Sequence, residues 1–232
     1  MVRVGYDSIA EAYDRFVRNQ TMIHTLTIPA VLRLCRGSGR VLDVACGQGV
    51  LTRELASAGF TVTGTDISAE LLRIARVDEV KSPLGITYVE DDACALAKFS
   101  ESEFDGATSN LAINDVDDLP AFMASVARVL KPGGWFLFAG MHPCFWAPRT
   151  GWFETQASND HSVRYFDEGR WWRQDEPTGP VGKLGHQHRT LSTLLNTLIG
   201  AGLLVDRIEE PRAEHSNVAT VLVVRAVKPV AP

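Results

Sequence analysis

The fold of this chain is decided by residues 40–49, Arg40-Val41-Leu42-Asp43-Val44-Ala45-Cys46-Gly47-Gln48-Gly49, and by the helical pattern behind them. Residues 40–45 form a β-rich run that predicts a strand closed by a tight glycine turn. After the turn, apolar residues recur at helical spacing, and Gly59 stands where that helix would end. A strand that enters a helix through such a turn presents backbone amides to a ligand at the helix N-terminus.

The alternation of strand and helix continues to residue 140, which is typical of βαβ units and a parallel sheet. Further strands are predicted at residues 61–65, ending at Asp66, and at 86–90, 104–109 and 135–140. Helices are predicted at residues 69–76, with Ser68 as N-cap, and at 120–130, ended by the turn at 131–134.

The two ends of the chain add helices at the front and strands at the back. Residues 6–16 and 28–35 have helical patterns, and residues 191–201 predict another helix. Two β-rich runs follow at 203–208 and 218–227, with too little chain between them for a helical crossover. We therefore expect them to pair as an antiparallel hairpin, which makes the sheet mixed.

Length, charge and cysteine spacing restrict the possible functions. The chain has 232 residues with 45% hydrophobic content, and its formal net charge of -5 argues against nucleic acid as a partner. No apolar run approaches the roughly 20 residues of a membrane span, and the N-terminus lacks a signal-like stretch, so we expect a cytoplasmic protein without membrane attachment. The four cysteines form no C-x-x-C pair, so no metal site is predicted.

Five segments stand in order along the chain: residues 41–49, 64–68, 90–93, 104–112 and 129–135. Taken together, they resemble the class I S-adenosylmethionine-dependent methyltransferases, and within them the small-molecule, type 11-like group. Together with the predicted elements, this gives a single Rossmann-like α/β domain over residues 1–232 with a mostly parallel seven-stranded sheet and a C-terminal antiparallel hairpin. Residues 1–36 would form a helical lid, and residues 141–189 a cap inserted after the fifth strand.

The resemblance implies that the chain binds S-adenosylmethionine and releases S-adenosylhomocysteine. The carboxylate of Asp43 would favour the ammonium group of the methionine moiety, Asp66 would accept hydrogen bonds from the ribose hydroxyls, and Asp92 from the adenine amino group. Asp91 is the alternative to Asp92, since the assignment can slip by one residue. The cofactor-binding residues implied in all are Tyr13, Asp43, Ala45, Gly47, Gly49, Asp66, Ile67, Asp92, Ala93 and Asn110.

Residues 141–189 hold four of the five tryptophans and four of the six histidines, and they follow the fifth strand, where an acceptor would lie. We expect an apolar acceptor pocket there, with the alternative that the aromatic residues are the small core of the insertion. Substrate-binding candidates are Trp146, Tyr165, Trp171 and Arg189, and the proposed wall also includes Trp152, Phe153 and Trp172. Candidates for a general base are His142, His186 and His188.

The predicted function is transfer of a methyl group from S-adenosylmethionine to a small aromatic or apolar molecule, on oxygen, nitrogen or carbon. One alternative is a protein that binds the same cofactor but catalyses a reaction without methylation. A nicotinamide-dependent oxidoreductase is disfavoured, because Thr52 stands where a third glycine is required and Asp43 lies inside the first strand. The sequence specifies neither the acceptor nor the oligomeric state, so monomer and homodimer both stay open.

Overall fold

The computed structural model describes residues 2–148, 164–172, 184–214 and 216–230. Within them the strands are β1 (Arg40–Val44), β2 (Thr61–Asp66), β3 (Thr87–Glu90), β4 (Phe104–Asn110), β5 (Leu130–Met141), β6 (Gly169–Trp171), β7 (His186–His188), β8 (Leu204–Glu209) and β9 (Val221–Val227). The α-helices are α1 (Val2–Arg18), α2 (Ile28–Leu34), α3 (Val50–Ser57), α4 (Ala69–Lys81), α5 (Leu119–Val129) and α6 (Leu191–Gly200). A π-helix (Ile23–Thr27) precedes α2, and a 3₁₀ helix (Ala112–Asn114) follows β4.

The described strands form a seven-stranded sheet in the order β3-β2-β1-β4-β5-β9-β8, beside a separate two-stranded sheet of β6 and β7. Neighbours from β3 to β5 are parallel, whereas β9 is antiparallel to both β5 and β8. The predicted α/β class, the mostly parallel sheet and the C-terminal hairpin are therefore confirmed. The order reverses between β1 and β4, so a crevice opens at the carboxyl ends of these strands.

Both faces of the sheet are buried, as the alternation along β5 shows. Phe136 and Phe138 belong to the apolar cluster that packs with α5 and α6, whereas Trp135 and Leu137 belong to the cluster that packs with α2 and α3. Successive side chains of a strand point to opposite faces, so this strand has helices on each side. The strand begins at Leu130, five residues before the predicted start, because Leu130 pairs with Phe104 before a register shift.

Helix α4 continues to Lys81, five residues beyond its predicted end. The prediction depended on the stripe of buried apolar residues along the helix. This stripe ends before the last turns, where Val77 and Val80 are exposed. The carboxylate of Glu79 accepts hydrogen bonds from the backbone amides of Leu84, Gly85 and Ile86, which fixes the chain that leaves the helix. Ser68 caps the helix as predicted, accepting a hydrogen bond from the amide of Leu71.

The small sheet of β6 and β7, in the region that the sequence predicts as a cap, pairs Gly169 with His188 and Trp171 with His186. This hairpin was not predicted, because strands of three residues carry no recognisable alternation. Trp152 and Phe153, placed in the acceptor wall by the sequence, lie outside the described residues. In the part of the chain that the structure covers, no helix is long and apolar enough to cross a bilayer.

The turn after β1 gives a test of backbone strain. Gly49 has φ +85°, and a Cβ added there would lie 2.4 Å from the hydroxyl oxygen of Tyr88. Gly59 also has positive φ, +97°, but a Cβ there would meet nothing within 4 Å. We expect Gly59→Ala to lower the free energy of unfolding by about 1–2 kcal/mol, the cost of a left-handed backbone for an L-residue. Gly49→Ala should cost more, because Tyr88 must also move.

Chemical denaturation of both variants measures this difference. The double variant Gly49→Ala/Tyr88→Phe, which removes the clashing oxygen, should recover part of the extra loss. Equal destabilisation by Gly49→Ala and Gly59→Ala would show that Tyr88 does not constrain the turn.

Candidate active site

A cavity of about 480 Å³ lies at the carboxyl ends of the parallel strands, under the N-terminal helix α1. Nine of the ten predicted cofactor-binding residues line it: Tyr13, Asp43, Ala45, Gly47, Asp66, Ile67, Asp92, Ala93 and Asn110. Gly49 does not line the cavity, because a side chain at this position would point at Tyr88. The structure thus brings together residues from the ends of β1, β2, β3 and β4, as the order of a doubly wound sheet requires.

The turn after β1 forms the floor of this cavity. Ala45, Gly47 and Gly49 have φ values of 54°, 58° and 85°, so the chain enters α3 through three left-handed residues. A Cβ on Gly47 would be in ordinary contact with Tyr13 and Leu71, at 3.8 and 4.0 Å, so glycine is needed there for its backbone conformation rather than for space. The amide of Gly47 donates to the carboxylate of Asp66 over 2.8 Å.

Asp43 is a buried carboxylate, 1% exposed, that two threonine hydroxyls hold in place. Thr108 of β4 donates to Oδ1 over 2.7 Å, and Thr52 of α3 donates to Oδ2 over 2.6 Å. Burial raises the pKa of Asp43 to about 6, although both hydrogen bonds oppose the shift. Thr52 stands where the dinucleotide pattern requires a third glycine, and Asp43 is an acid that this pattern does not require. The hydrogen bond between them joins the two departures from that pattern.

Asp66, at the end of β2, connects the two loops that border the cavity. Its Oδ2 accepts from the amide of Gly47 and its Oδ1 from the amide of Ser68, at 2.8 and 2.9 Å. Burial raises its pKa, and the hydrogen bonds from backbone amides partly counter the rise. Each carboxylate oxygen retains a second lone pair, so Asp66 can still accept a hydrogen bond from a ligand.

The two adjacent acids after β3 differ in position. Asp92 lines the cavity, and its Oδ1 accepts from the amide of Cys94 over 2.8 Å. Asp91 is not among the described lining residues; its carboxylate instead binds the amides of Asp92 and Lys98. The structure therefore favours Asp92 as the acid that faces a ligand.

Two groups that line the cavity have buried oxygens without a hydrogen-bond partner among the described residues. They are Oδ1 of Asn110, at the end of β4, and Oδ1 of Asp115, after the 3₁₀ helix. An unsatisfied buried acceptor is unfavourable unless a ligand or water donates to it. Asn110 was predicted from the sequence, whereas Asp115 was missed.

Helix α1, which the sequence predicts as part of a lid, contributes two tyrosines to the lining of the cavity. Tyr6 and Tyr13 pack edge to face with their ring centroids 5.2 Å apart, and both line the cavity. The hydroxyl of Tyr6 donates to Oδ2 of Asp115 over 2.7 Å, and Asp7 accepts from the hydroxyl of Ser68 at the start of α4. The sequence indicated Tyr13 alone, because the partner of Tyr6 lies 109 residues away along the chain.

The histidines proposed as bases lie outside the described lining of this cavity. Nδ1 of His142 accepts from the amide of Cys144 over 3.2 Å, so its Nε2 carries the proton and donates to Glu210 over 2.7 Å. Nε2 of His188 bonds the carbonyl oxygen of Tyr165 over 2.7 Å. The ring of His186 packs against those of Trp146 and Trp171, 6.1 Å from each.

The proposed substrate-binding residues also lie in the cap rather than along the cavity. The rings of Trp146 and Trp171 pack together, and the hydroxyl of Tyr165 accepts from the amide of Leu191. Arg189 donates to the carbonyl oxygens of Ile113, Val116 and Asp117. It therefore holds the loop after β4, which does line the cavity. The predicted roles of these residues and of the three histidines stay predictions.

The buried carboxylate of Asp43 predicts a pH dependence of stability. Because its folded-state pKa is raised to about 6, the carboxyl stabilises the fold below the pKa of an unfolded aspartate, and this stability is lost as pH rises to about 6. Asp43→Asn removes the titration, so relative to wild type it should gain about 2 kcal/mol between pH 4 and pH 7. Denaturation at the two pH values measures this; the exposed Glu54→Gln is the control. A gain no larger than that of the control would contradict the prediction.

Comparison with known proteins agrees with the arrangement of this site. A family model described as a methyltransferase domain matches residues 42–138. An S-adenosylmethionine-dependent methyltransferase from Mesorhizobium loti is 30% identical, with a TM-score of 0.69 over 86% of this chain and 96% of that one. A putative S-adenosylmethionine-dependent methyltransferase from Listeria monocytogenes, 24% identical with a TM-score of 0.70 over 87% of this chain and 97% of its own, shares the fold.

Among curated proteins, a ubiquinone biosynthesis O-methyltransferase of Thiobacillus denitrificans is 36% identical over 103 residues. The match covers 44% of this chain and 44% of that protein, so the chain spans less than half the length of the curated relatives that it matches. The near full-length similarity to the Mesorhizobium loti structure, together with the family match, assigns the whole fold. The chain belongs to the S-adenosylmethionine-dependent methyltransferases.

Proposed function

We propose that this protein transfers the methyl group of S-adenosylmethionine to a hydroxyl oxygen of a small aromatic or apolar molecule. The observation that carries the proposal is the cavity at the strand ends, where nine residues implied by the motifs meet. Oxygen is favoured as the methylated atom because the matching curated proteins are named O-methyltransferases. The size of the cavity, about 480 Å³, suits a cofactor with a small partner.

The charge of the cavity suits this cofactor. Among the described side chains that line it are six aspartates and no lysine, arginine or histidine, namely Asp43, Asp66, Asp92, Asp115, Asp117 and Asp118. S-adenosylmethionine carries a sulfonium and an ammonium group, so a negative potential favours its binding. The unpartnered Oδ1 of Asn110 adds a neutral acceptor at the end of β4.

The three predicted acids have distinct parts in this proposal. Asp43, whose oxygens already bind two threonines, would act on the ammonium group through its charge and the adjoining glycine turn. Asp66 would accept the ribose hydroxyls with its remaining lone pairs, and Asp92 would accept the adenine amino group. Ile67 and Ala93 border the cavity beside these acids and would contact the adenine ring.

S-adenosylmethionine, when bound, supplies a methyl group on a positively charged sulfur, which reacts with a nucleophile in line with the breaking bond. The residues of this chain contribute by orientation and by excluding water, since holding reactants at near-attack distance lowers the barrier substantially. Tyr6 and Tyr13 cover the cavity from the lid, and the apolar side chains of Leu111 and Val116 border it from the loop after β4. This border leaves an apolar surface for the acceptor.

Calorimetric titration with S-adenosylhomocysteine tests the cofactor site. We expect Asp66→Asn to weaken binding at least tenfold, because a hydrogen bond to a charged group contributes roughly 1.5–3 kcal/mol. Glu101→Gln, which changes an exposed acid that is not among the described lining residues of the cavity, is the control and should leave affinity unchanged. Failure of the wild-type protein to bind would refute the proposal.

The neighbouring acids after β3 provide a second test with an internal control. Asp92→Asn should lower the affinity for S-adenosylhomocysteine several-fold, since Asp92 lines the cavity. Asp91→Asn should lower the melting temperature but not the affinity, because Asp91 binds backbone amides of its own loop. The reverse pattern would move the adenine contact to Asp91.

A further inference from the structure

Asp115 is a buried carboxylate of the cavity that neither the motifs nor the family resemblance pointed to. It follows the 3₁₀ helix after β4 and lies between the lid helix and the cap. The hydroxyl of Tyr6 donates to its Oδ2, whereas its Oδ1 is buried and accepts no hydrogen bond from any described residue. The hydrogen bond between helix α1 and this loop uses only Oδ2 of Asp115. Its Oδ1 is therefore available to a ligand.

The surroundings keep this carboxylate more basic than an exposed one. Burial is the largest cause and raises the pKa of Asp115 to about 6, while the hydrogen bond from Tyr6 and the charge of Arg170 on β6 lower it. Asp66 and Asp117 raise it further. The titratable and charged groups that act on it therefore come from α1, β2, β6 and its own loop: Tyr6, Tyr13, Asp66, Arg170 and Asp117. At neutral pH the group is mainly ionised and can accept a proton.

The other acids of the cavity are already engaged. Asp43 accepts from two hydroxyls and Asp66 from two amides. Asp92 accepts from the amide of Cys94 after β3, where the proposal places the adenine. Asp117 pairs with Arg170 over 2.8 Å, and Asp118 caps α5 through the amide of Ala121. No histidine is among the described residues that line the cavity, so Asp115 is the best placed group there to take a proton.

We propose that Asp115 is the general base of the reaction, receiving the proton of a phenolic hydroxyl on the acceptor. The inference rests on the proposed methyl transfer and extends it to the base and the acceptor class. As a lone pair of the hydroxyl oxygen forms the new C–O bond, the C–S bond breaks and its electron pair stays on sulfur. The O–H proton passes to Oδ1 of Asp115, leaving a methyl ether, S-adenosylhomocysteine and a protonated carboxyl.

The properties of Asp115 fit a hydroxyl better than an amine. A methylated hydroxyl that keeps its proton is a strongly acidic oxonium, so a carboxylate suffices to remove that proton in the transition state. A methylated aliphatic amine is a weak acid that keeps its proton, so it needs no such base. The apolar Leu111 and Val116 on the same loop border the cavity and suit an aromatic ring next to the hydroxyl.

Binding of 4-nitrophenol to the S-adenosylhomocysteine complex tests the contact without turnover. Its absorbance distinguishes phenol from phenolate, and a neighbouring carboxylate favours the phenol. We expect the pKa of the bound probe to be raised in the wild-type complex and to fall by about one unit or more in Asp115→Asn. Tyr6→Phe, which keeps the carboxylate, should retain a raised pKa of the probe. No binding of the probe, or the same probe pKa in wild type and Asp115→Asn, overturns the inference.

Turnover provides the second test, followed as formation of S-adenosylhomocysteine with a panel of mono- and dihydroxybenzenes and of benzylamines. We expect methylation of phenols, with kcat reduced about 10²–10⁴-fold in Asp115→Asn, the usual contribution of a general base. The affinity of that variant for S-adenosylhomocysteine should stay within twofold of wild type. Asp167→Asn, which changes an exposed acid of the cap paired with Arg164, is the matched control for both measurements.

The outcomes separate this inference from the function on which it rests. If wild type fails to bind S-adenosylhomocysteine, the proposed function fails. If it binds but methylates no phenol, or prefers amines, the acceptor class is wrong. If Asp115→Asn loses cofactor affinity and turnover to the same extent, Asp115 belongs to the cofactor site or the fold, and its role as base is refuted.

Discussion

The hydrogen bonds of the Asp66 carboxylate connect the two loops on which the cavity depends. One oxygen binds the amide of Gly47 in the turn after β1, and the other binds the amide of Ser68 at the start of α4. Ser68 in turn donates its hydroxyl to Asp7 of helix α1. One buried acid is thus bonded directly to the glycine turn and to the start of α4, and through Ser68 it is connected to α1. A ligand that contacts Asp66 contacts the group that joins these elements.

The same region concentrates negative charge at a cost to stability. Asp43, Asp66 and Asp115 all have raised pKa values, and burial is the largest cause in each case. Buried acids destabilise a fold at neutral pH unless donors or cations compensate. Hydroxyls and backbone amides compensate only in part here. A cationic ligand bound here would supply the compensation that the hydroxyls and amides lack, and it would thereby stabilise the folded protein.

The sequence predicted what depends on neighbouring residues and missed what depends on distant contacts. The glycine turn, the strand end at Asp66 and the N-cap at Ser68 are encoded locally and were found, and the fourth strand, predicted to residue 109, ends at Asn110. The bond between Tyr6 and Asp115 joins residues 109 positions apart, and that between His142 and Glu210 joins residues 68 apart. No local pattern reports such pairs. The position of His142 directly after a strand indicated a base, whereas the fold directs its ring to Glu210.

Two arginines that are not among the described lining residues of the cavity contact the loop after β4, which does line it. Arg170 donates to the backbone oxygen of Asp115 and to the carboxylate of Asp117, while Arg189 binds three carbonyl oxygens of the same loop. Loop carbonyls that point to guanidinium groups are fixed in direction, so the side chains between them are fixed as well. Arg170 and Arg189 therefore help to fix the position of Asp115, although neither arginine is among the described residues that line the cavity.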